Sequence, residues 1–177
     1  SEVAHEALSN GANWINDVTG GRRDEEILDV VAESNSPFVI THSRGDSINM
    51  NNLTKYDDFL VDIIHSLESL TKKALSKNVS KDKIIWDPGI GFSKDTKQNI
   101  EILRNIPFFK KFDFPLLIGA SRKRFIGEIL NEPNPKERDI GTLAISCLCS
   151  QQNIHLVRVH NVKINHQVLK VADQIFR

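Results

Sequence analysis

Five short apolar runs, each followed by a segment of helical periodicity, recur along the chain, and this alternation limits the fold more than any other feature. The runs are "NWIND" (13–17), "FVITH" (38–42), "KIIWD" (83–87), "FPLLIG" (114–119) and "IHLVRVH" (154–160). Helical patterns fill the intervals: about 24–34, Tyr56 to about Asn78, Thr96 to about Asn105, about 122–130, 138–151 and 163–176, with another over about 2–9 at the front. Short apolar strands separated by helices imply parallel pairing, because a parallel neighbour is reached only through a crossover. Pro37 and Pro115 stand at or just before strand starts and Gly11 closes the first helix, so the punctuation agrees with the periodicity.

Such units build either an open doubly wound sheet or a closed barrel. An open sheet concentrates its site at one switch point, commonly with a glycine-rich first turn, and no such turn follows the first run. Here every run ends in polar residues: Asn16 and Asp17, His42 and Arg44, Asp87, Ser121 to Lys123, and Arg158 with His160. A ring of polar groups at the C-terminal ends of all strands is what a barrel mouth requires. The expected fold class is therefore α/β, a TIM-type (β/α)8 barrel, here an incomplete segment with five βα units forming one domain over residues 1–177. A closed barrel typically takes ~250 residues. The chain opens on Ser1 with a helix already in progress, and a longer parent chain is expected, with N-terminal strands that this segment lacks.

The 23 basic and 23 acidic side chains balance, which gives no electrostatic reason to expect nucleic acid or a membrane surface as partner. No apolar run approaches the ~20 residues needed to span a bilayer. Cys147 and Cys149, two apart in a helical pattern, do not face each other and read as buried thiols.

The stretch "IIWDPGIGFSK" (84–94) carries the clearest chemical signal. Asp87 ends a buried strand, where its carboxylate can accept two parallel hydrogen bonds from an amidine-like edge; it can equally hold an Asx turn. Gly89 and Gly91 leave the backbone beside it open to close approach. In "LVRVHNV", Arg158 and His160 are two apart, so on a strand they share a face about 7 Å apart. A planar fork of donors beside a ring that can be cationic suits a phosphate or pyrophosphate. In "IGASRKRFIG", Ser121 suits a helix N-cap, with Arg122, Lys123 and Arg124 in the first turn. Cations there oppose the macrodipole, so an anionic ligand is expected to compensate, with Arg124 turned to solvent. Asn16 offers a donor and an acceptor to a polar ring, and Asp17 is expected to meet a cation of the barrel. The roles of His42, Ser43 and Arg44 stay open.

Four motifs in this order, "INDVTGG", "DPGIGFSK", "IGASRKRFIG" and "VRVHNV", together resemble dihydropteroate synthase over essentially the whole chain, matching the C-terminal two-thirds of that family's barrel. The resemblance implies a transferase of folate biosynthesis, a sulfonamide target. It joins 6-hydroxymethyl-7,8-dihydropterin pyrophosphate to p-aminobenzoate and releases pyrophosphate. It further implies that Asp87 pairs with the 2-amino and N3–H edge of the pterin and that Asn16 bonds the ring. Lys123 would reach the pterin carbonyl, with Gly91 and Phe92 lining the pocket. Ser121 would lie near the p-aminobenzoate carboxylate, and Arg158 and His160 would hold the pyrophosphate. Mg²⁺ is the implied cofactor, with its main protein ligand in the missing N-terminal part, so the isolated segment is expected to be inactive. A homodimer in the cytoplasm is expected, or in the mitochondrion for a eukaryotic parent fused to a pterin pyrophosphokinase, as the plant-like "RVHN" suggests. Where relatives commonly carry Met-His-Met this chain has "ITHS", and Ser43 is expected to make the pterin face less apolar. The competing readings are a pterin-binding methyltransferase domain and a non-catalytic barrel scaffold.

Overall fold

The computed structural model describes residues 1–45, 48 and 50–177 of the chain. Among the described residues the strands are β1 (Ile15–Asp17), β2 (Phe38–Thr41), β3 (Ile84–Asp87), β4 (Leu117–Ile118) and β5 (Leu156–Val157). The helices that accompany them are α1 (Glu2–Ser9), α2 (Glu26–Ser34), α3 (Phe59–Ser76), α4 (Thr96–Arg104), α5 (Ile106–Phe109), α6 (Arg124–Leu130), α7 (Asp139–Gln151) and α8 (Val162–Phe176).

All pairings are parallel and follow chain order. Phe38 stands beside Ile15 and Ile84, and Thr41 beside Asp87. A single bridge from Trp86 to Leu116 carries the ladder from β3 to β4, and Leu117 pairs with Leu156 to add β5. A doubly wound sheet reverses its strand order at a switch point, whereas a barrel adds each strand beside the last. The order β1-β2-β3-β4-β5 is that of a barrel, so the alternation and the polar strand ends were read correctly.

Strand alternation divides the apolar side chains into two cores. Phe38, Ile40, Ile84, Trp86, Leu116 and Ile118 join the helices in the larger one. Val39, Ile85 and Leu117 form the smaller one on the inner face, with Leu156 against it. Trp86 is fully buried, stacked on Phe114 at 4.6 Å between ring centroids, and its indole N–H donates to Thr71 Oγ at 2.8 Å. Full burial of each large apolar side chain stabilises the fold by about 1.5–3 kcal/mol. The helix starts are set locally: Asp58 caps α3, Asn161 caps α8, and Asp95 with Gln98 forms a complete capping box on α4. These caps hold the βα loops, and hence the strand ends, against the helical layer.

Strand boundaries are shorter than the sequence reading gave. The run 13–17 pairs only from Ile15, and the run 154–160 pairs only over Leu156–Val157. The short helix α5 was not anticipated; Pro107 at its start is compatible with a first turn, where no N–H is needed.

Candidate active site

Two residues beyond Ile85, Asp87 ends β3 on the inner face and is only 1% exposed. One carboxylate oxygen accepts from Gly89 N–H at 2.8 Å, so the Asx turn exists. That bond uses one oxygen, and among the described residues no other hydrogen bond reaches the carboxylate. Turn-holding and ligand-binding are therefore compatible roles of one side chain. Burial pushes the carboxyl above its usual range, opposed by the Gly89 N–H and by the charges of Arg158, Lys94 and Lys123.

Those three cations face the Asp87 carboxylate. Arg158 follows β5, and its guanidinium lies across Gly119 so closely that a Cβ there would stand 2.8 Å from Nη2. Lys123 Nζ sits 4.3 Å from the ring centroid of Phe92, and its stem crosses Gly91, where a Cβ would meet Cδ at 2.8 Å. Burial, with help from Arg158, lowers the Lys123 pKa, while Asp87 raises it. Gly119, Ser121, Arg122, Lys123, Arg158 and His160 line a cavity of about 420 Å³. Lys123 also borders a second cavity of about 280 Å³ with Gly91, Lys94 and Asn99, and Phe92 borders a third of about 240 Å³ with Arg44 and Ser43. Asn16, beside Val39 in register, projects from the inner face of β1 and is exposed, with no side-chain hydrogen bond among the described residues. It lines none of these three cavities.

Three sequence-based readings need correction. Ser121 does not cap a helix: α6 begins at Arg124 after Lys123, and Arg122 takes a left-handed conformation. Ser121 Oγ instead bonds His160, at 3.1 Å from its backbone N–H and 2.9 Å from Nδ1, tying the loop after β4 to the loop after β5. The macrodipole conflict consequently disappears. Arg122 forms a two-pronged pair with Asp139 at 2.7 and 2.9 Å, Lys123 turns into the mouth, and only Arg124 lies in the first turn, paired with Glu128 at 3.2 Å. Among the described residues no ion pair to Asp17 is formed; its carboxylate accepts from Thr19 N–H, Thr19 Oγ and Gly21 N–H, closing its own turn. Ser43 borders the cavity beside Phe92, where its hydroxyl donates to Val18 O and receives Arg22, and Thr41, beside Asp87 in register, points inward with Oγ1 buried and unbonded among the described residues. Arg44 stacks on Tyr56 at 3.8 Å and reaches Asp62 at 3.2 Å.

Lys94 and Asn99 were missed. Lys94 is 3% exposed and contacts His42, itself fully buried. Asn99 accepts from Gly91 N–H at 2.7 Å and donates to the carbonyls of Lys94 and Asp95. The available signal was the position of Lys94 at the end of the same glycine-rich turn as Asp87.

Among the described residues no group of three His, Cys, Asp or Glu side chains could hold a metal ion, and the mouth is cationic around its single acid. The described residues therefore offer no carboxylate cluster for Mg²⁺.

Fold and site together define a (β/α) barrel protein with a buried carboxylate at the floor of a cationic mouth. Residues 1–160 match the family described as pterin binding enzyme, and the chain belongs to that family. It is 43% identical over 177 residues to dihydropteroate synthase of Synechocystis sp., covering 100% of this chain and 61% of that protein. It is 40% identical over 188 residues to the mitochondrial folate synthesis bifunctional protein of Pisum sativum, covering 100% of this chain and 36% of that one. The crystal structure of dihydropteroate synthase from Thermus thermophilus in complex with 6HMPPP superimposes with a TM-score of 0.92 at 33% identity, over 99% of this chain and 69% of that one. A structure of the same enzyme in complex with 4-aminobenzoate gives the same TM-score and identity, over 99% and 71%. The chain thus spans roughly three-fifths of the bacterial relative and about a third of the plant one.

Proposed function

We propose that the parent protein is a dihydropteroate synthase, and that this chain supplies the floor and one wall of its active site. The observation that carries the reading is Asp87: a carboxylate 1% exposed, with one oxygen tied to Gly89, at the centre of Lys94, Lys123 and Arg158. A buried anion of this kind suits the paired N–H donors of a pterin edge, while the surrounding cations suit a pyrophosphate.

In this reading Asp87 holds the 2-amino and N3–H edge, Asn16 adds a bond to the ring, and Phe92 with Gly91 lines the ring's pocket. Arg158 and His160 hold the pyrophosphate, with His160 oriented by Ser121. The bond from the pterin's exocyclic methylene carbon to the pyrophosphate oxygen breaks, and the leaving group takes the electron pair. The amine of p-aminobenzoate then attacks that carbon and loses a proton. Preorganised cations that meet the departing charge stabilise the transition state. Lys123, between ring and anion, serves both ends. A Mg²⁺ requirement belongs to this proposal with its protein ligand outside these residues, and no step is assigned to it.

The bifunctional name of the pea relative supports a fused parent chain, and its mitochondrial label supports that compartment where the parent is eukaryotic. An apolar groove of about 460 Å³ beside α8, lined by Cys147, Ile164, Val168, Val171, Ile175 and Phe176, supports a homodimer. No helix among the described residues is long and apolar enough to cross a membrane.

The test is pyrophosphate release by the full parent chain given the pterin pyrophosphate, Mg²⁺ and p-aminobenzoate, beside Asp87→Asn. Release that depends on p-aminobenzoate and collapses in the variant is expected. No release from well-folded wild-type protein would leave a pterin-binding barrel without this activity.

A further inference from the structure

We infer that Lys94 is a positioning residue for Asp87: its buried ammonium locks the turn after β3 onto β2 and stands behind the carboxylate as a fixed positive charge. The inference rests on Asp87 as the ligand-holding carboxylate of the proposed function, a role in which Lys94 itself touches no substrate.

The geometry is a closed circuit of four hydrogen bonds. His42 N–H donates to Asp87 O at 2.9 Å, and Gly89 N–H donates to the Asp87 carboxylate at 2.8 Å. Lys94 Nζ then donates to Gly89 O at 3.0 Å and to His42 Nδ1 at 2.8 Å, which returns the circuit to β2. Its third proton goes to Phe92 O at 2.9 Å. Three donors facing three acceptors is the full capacity of an ammonium, whereas a neutral amine would turn its lone pair on one of them. With Lys94 as the ammonium, Nδ1 of His42 accepts and the neutral ring carries its hydrogen on Nε2, which is buried without a hydrogen-bond partner among the described residues.

The circuit leaves little freedom to the carboxylate. Gly89 is held by its N–H on one side and its carbonyl on the other, at a φ of +73°, and a Cβ there would lie 1.8 Å from His42 O. The end of the turn is fastened separately, since Ser93 Oγ accepts Arg44 N–H at 3.0 Å and Tyr56 Oη donates to Ser93 O at 2.9 Å. Deleting the Lys94 head group would open the middle of this arrangement and take the side-chain donor from Phe92 O and from His42 Nδ1, while Gly89 O would keep only Phe92 N–H at 3.1 Å.

The electrostatics run the same way. Asp87 is faced by Lys94, Lys123 and Arg158, of which only Lys94 is fully enclosed and fixed by protein acceptors. Lys94 in turn faces His42, Asp87, Arg44 and Lys123. Burial holds its pKa well below the ordinary lysine range, with Arg44 and Lys123 adding to the lowering and Asp87 opposing it. Mobile surface cations are screened by salt, whereas a buried one is screened much less.

The experiment compares wild type with Lys94→Met, following the Asp87 carboxyl carbon by NMR from pH 3 to 9 without ligand. Affinity for 6-hydroxymethylpterin is then measured over the same range. Loss of a nearby cation disfavours the carboxylate, so the Asp87 midpoint is expected to rise by about one pH unit, and the pH dependence of pterin affinity to move with it. A uniform loss of affinity with an unmoved Asp87 midpoint would reduce Lys94 to a packing role and overturn the inference. Should Lys94→Met not fold, the Lys94 side-chain nitrogen of wild type decides: an ammonium at pH 7 is expected, and a neutral amine there overturns the inference. Wild-type protein that binds no pterin at any pH would count against the proposed function alone, because the ligand-free Asp87 titration still reports on Lys94.

Discussion

Replacing Gly119 with alanine separates the anion site from the fold. Gly119 is not among the glycines with positive φ, so alanine can take its backbone without strain. The new Cβ would stand 2.8 Å from Arg158 Nη2, 3.3 Å from Cζ and 3.4 Å from Nε, where unstrained contacts lie at about 3.5–4.0 Å. What yields is the end of a flexible, exposed side chain, so the guanidinium must move by most of an ångström while the strands stay in place. Hydrogen bonds to charged groups contribute about 1.5–3 kcal/mol. Arg158 is exposed, which favours the low end, and roughly tenfold weaker binding of pyrophosphate follows. Calorimetric titration of Gly119→Ala with inorganic pyrophosphate, beside urea unfolding of the same protein, measures both quantities. The expected pair is tenfold weaker binding and an unchanged urea midpoint. Affinity within twofold of wild type would refute the placement of Arg158 as the anion's holder, and a lowered midpoint would refute the claim that the glycine serves the site alone.

Gly89→Ala should behave oppositely, since its Cβ meets the backbone carbonyl of His42; left-handed strain and overpacking together predict a loss of about 3 kcal/mol by urea unfolding. Trp86→Phe removes the donor to Thr71 Oγ in a fully buried site, and about 1–3 kcal/mol of stability should go with it in the same assay. For His42, burial and the facing Lys94, Arg44 and Arg22 hold the native pKa at about 2, far below the ordinary 6.5. The unfolded chain therefore binds one more proton below about pH 6.5, and stability should fall on acidification by roughly 1.4 kcal/mol per unit. Asp87, whose pKa is raised, takes its proton first in the native state and opposes this. The difference between wild type and His42→Gln, measured by urea unfolding at pH 5 to 7, isolates the histidine's share.

The architecture was legible because apolar runs and helical periods are local signals, and the polar residue closing each run is visible without knowing its neighbours. Asp87, Gly91 and Phe92 could be read together because they occupy one short turn. What escaped depended on partners far along the chain. Lys94 looks like a solvated charge until His42, 52 positions away, supplies an acceptor within a buried turn. Ser121 looks like a cap until His160, 39 positions on, claims its hydroxyl.

The two ends of the mouth are also built on different plans. The carboxylate end lies within eight consecutive residues, Asp87 to Lys94, fastened by a few bonds to β2 and α4. The anion end is assembled from two separate loops that meet through Ser121 with His160 and through Gly119 with Arg158. A change of preference at the first end could therefore be inherited or transplanted as one small cassette. Any change at the second demands matched substitutions at positions about forty residues apart, so variation among relatives should concentrate in the cassette and spare the joined loops.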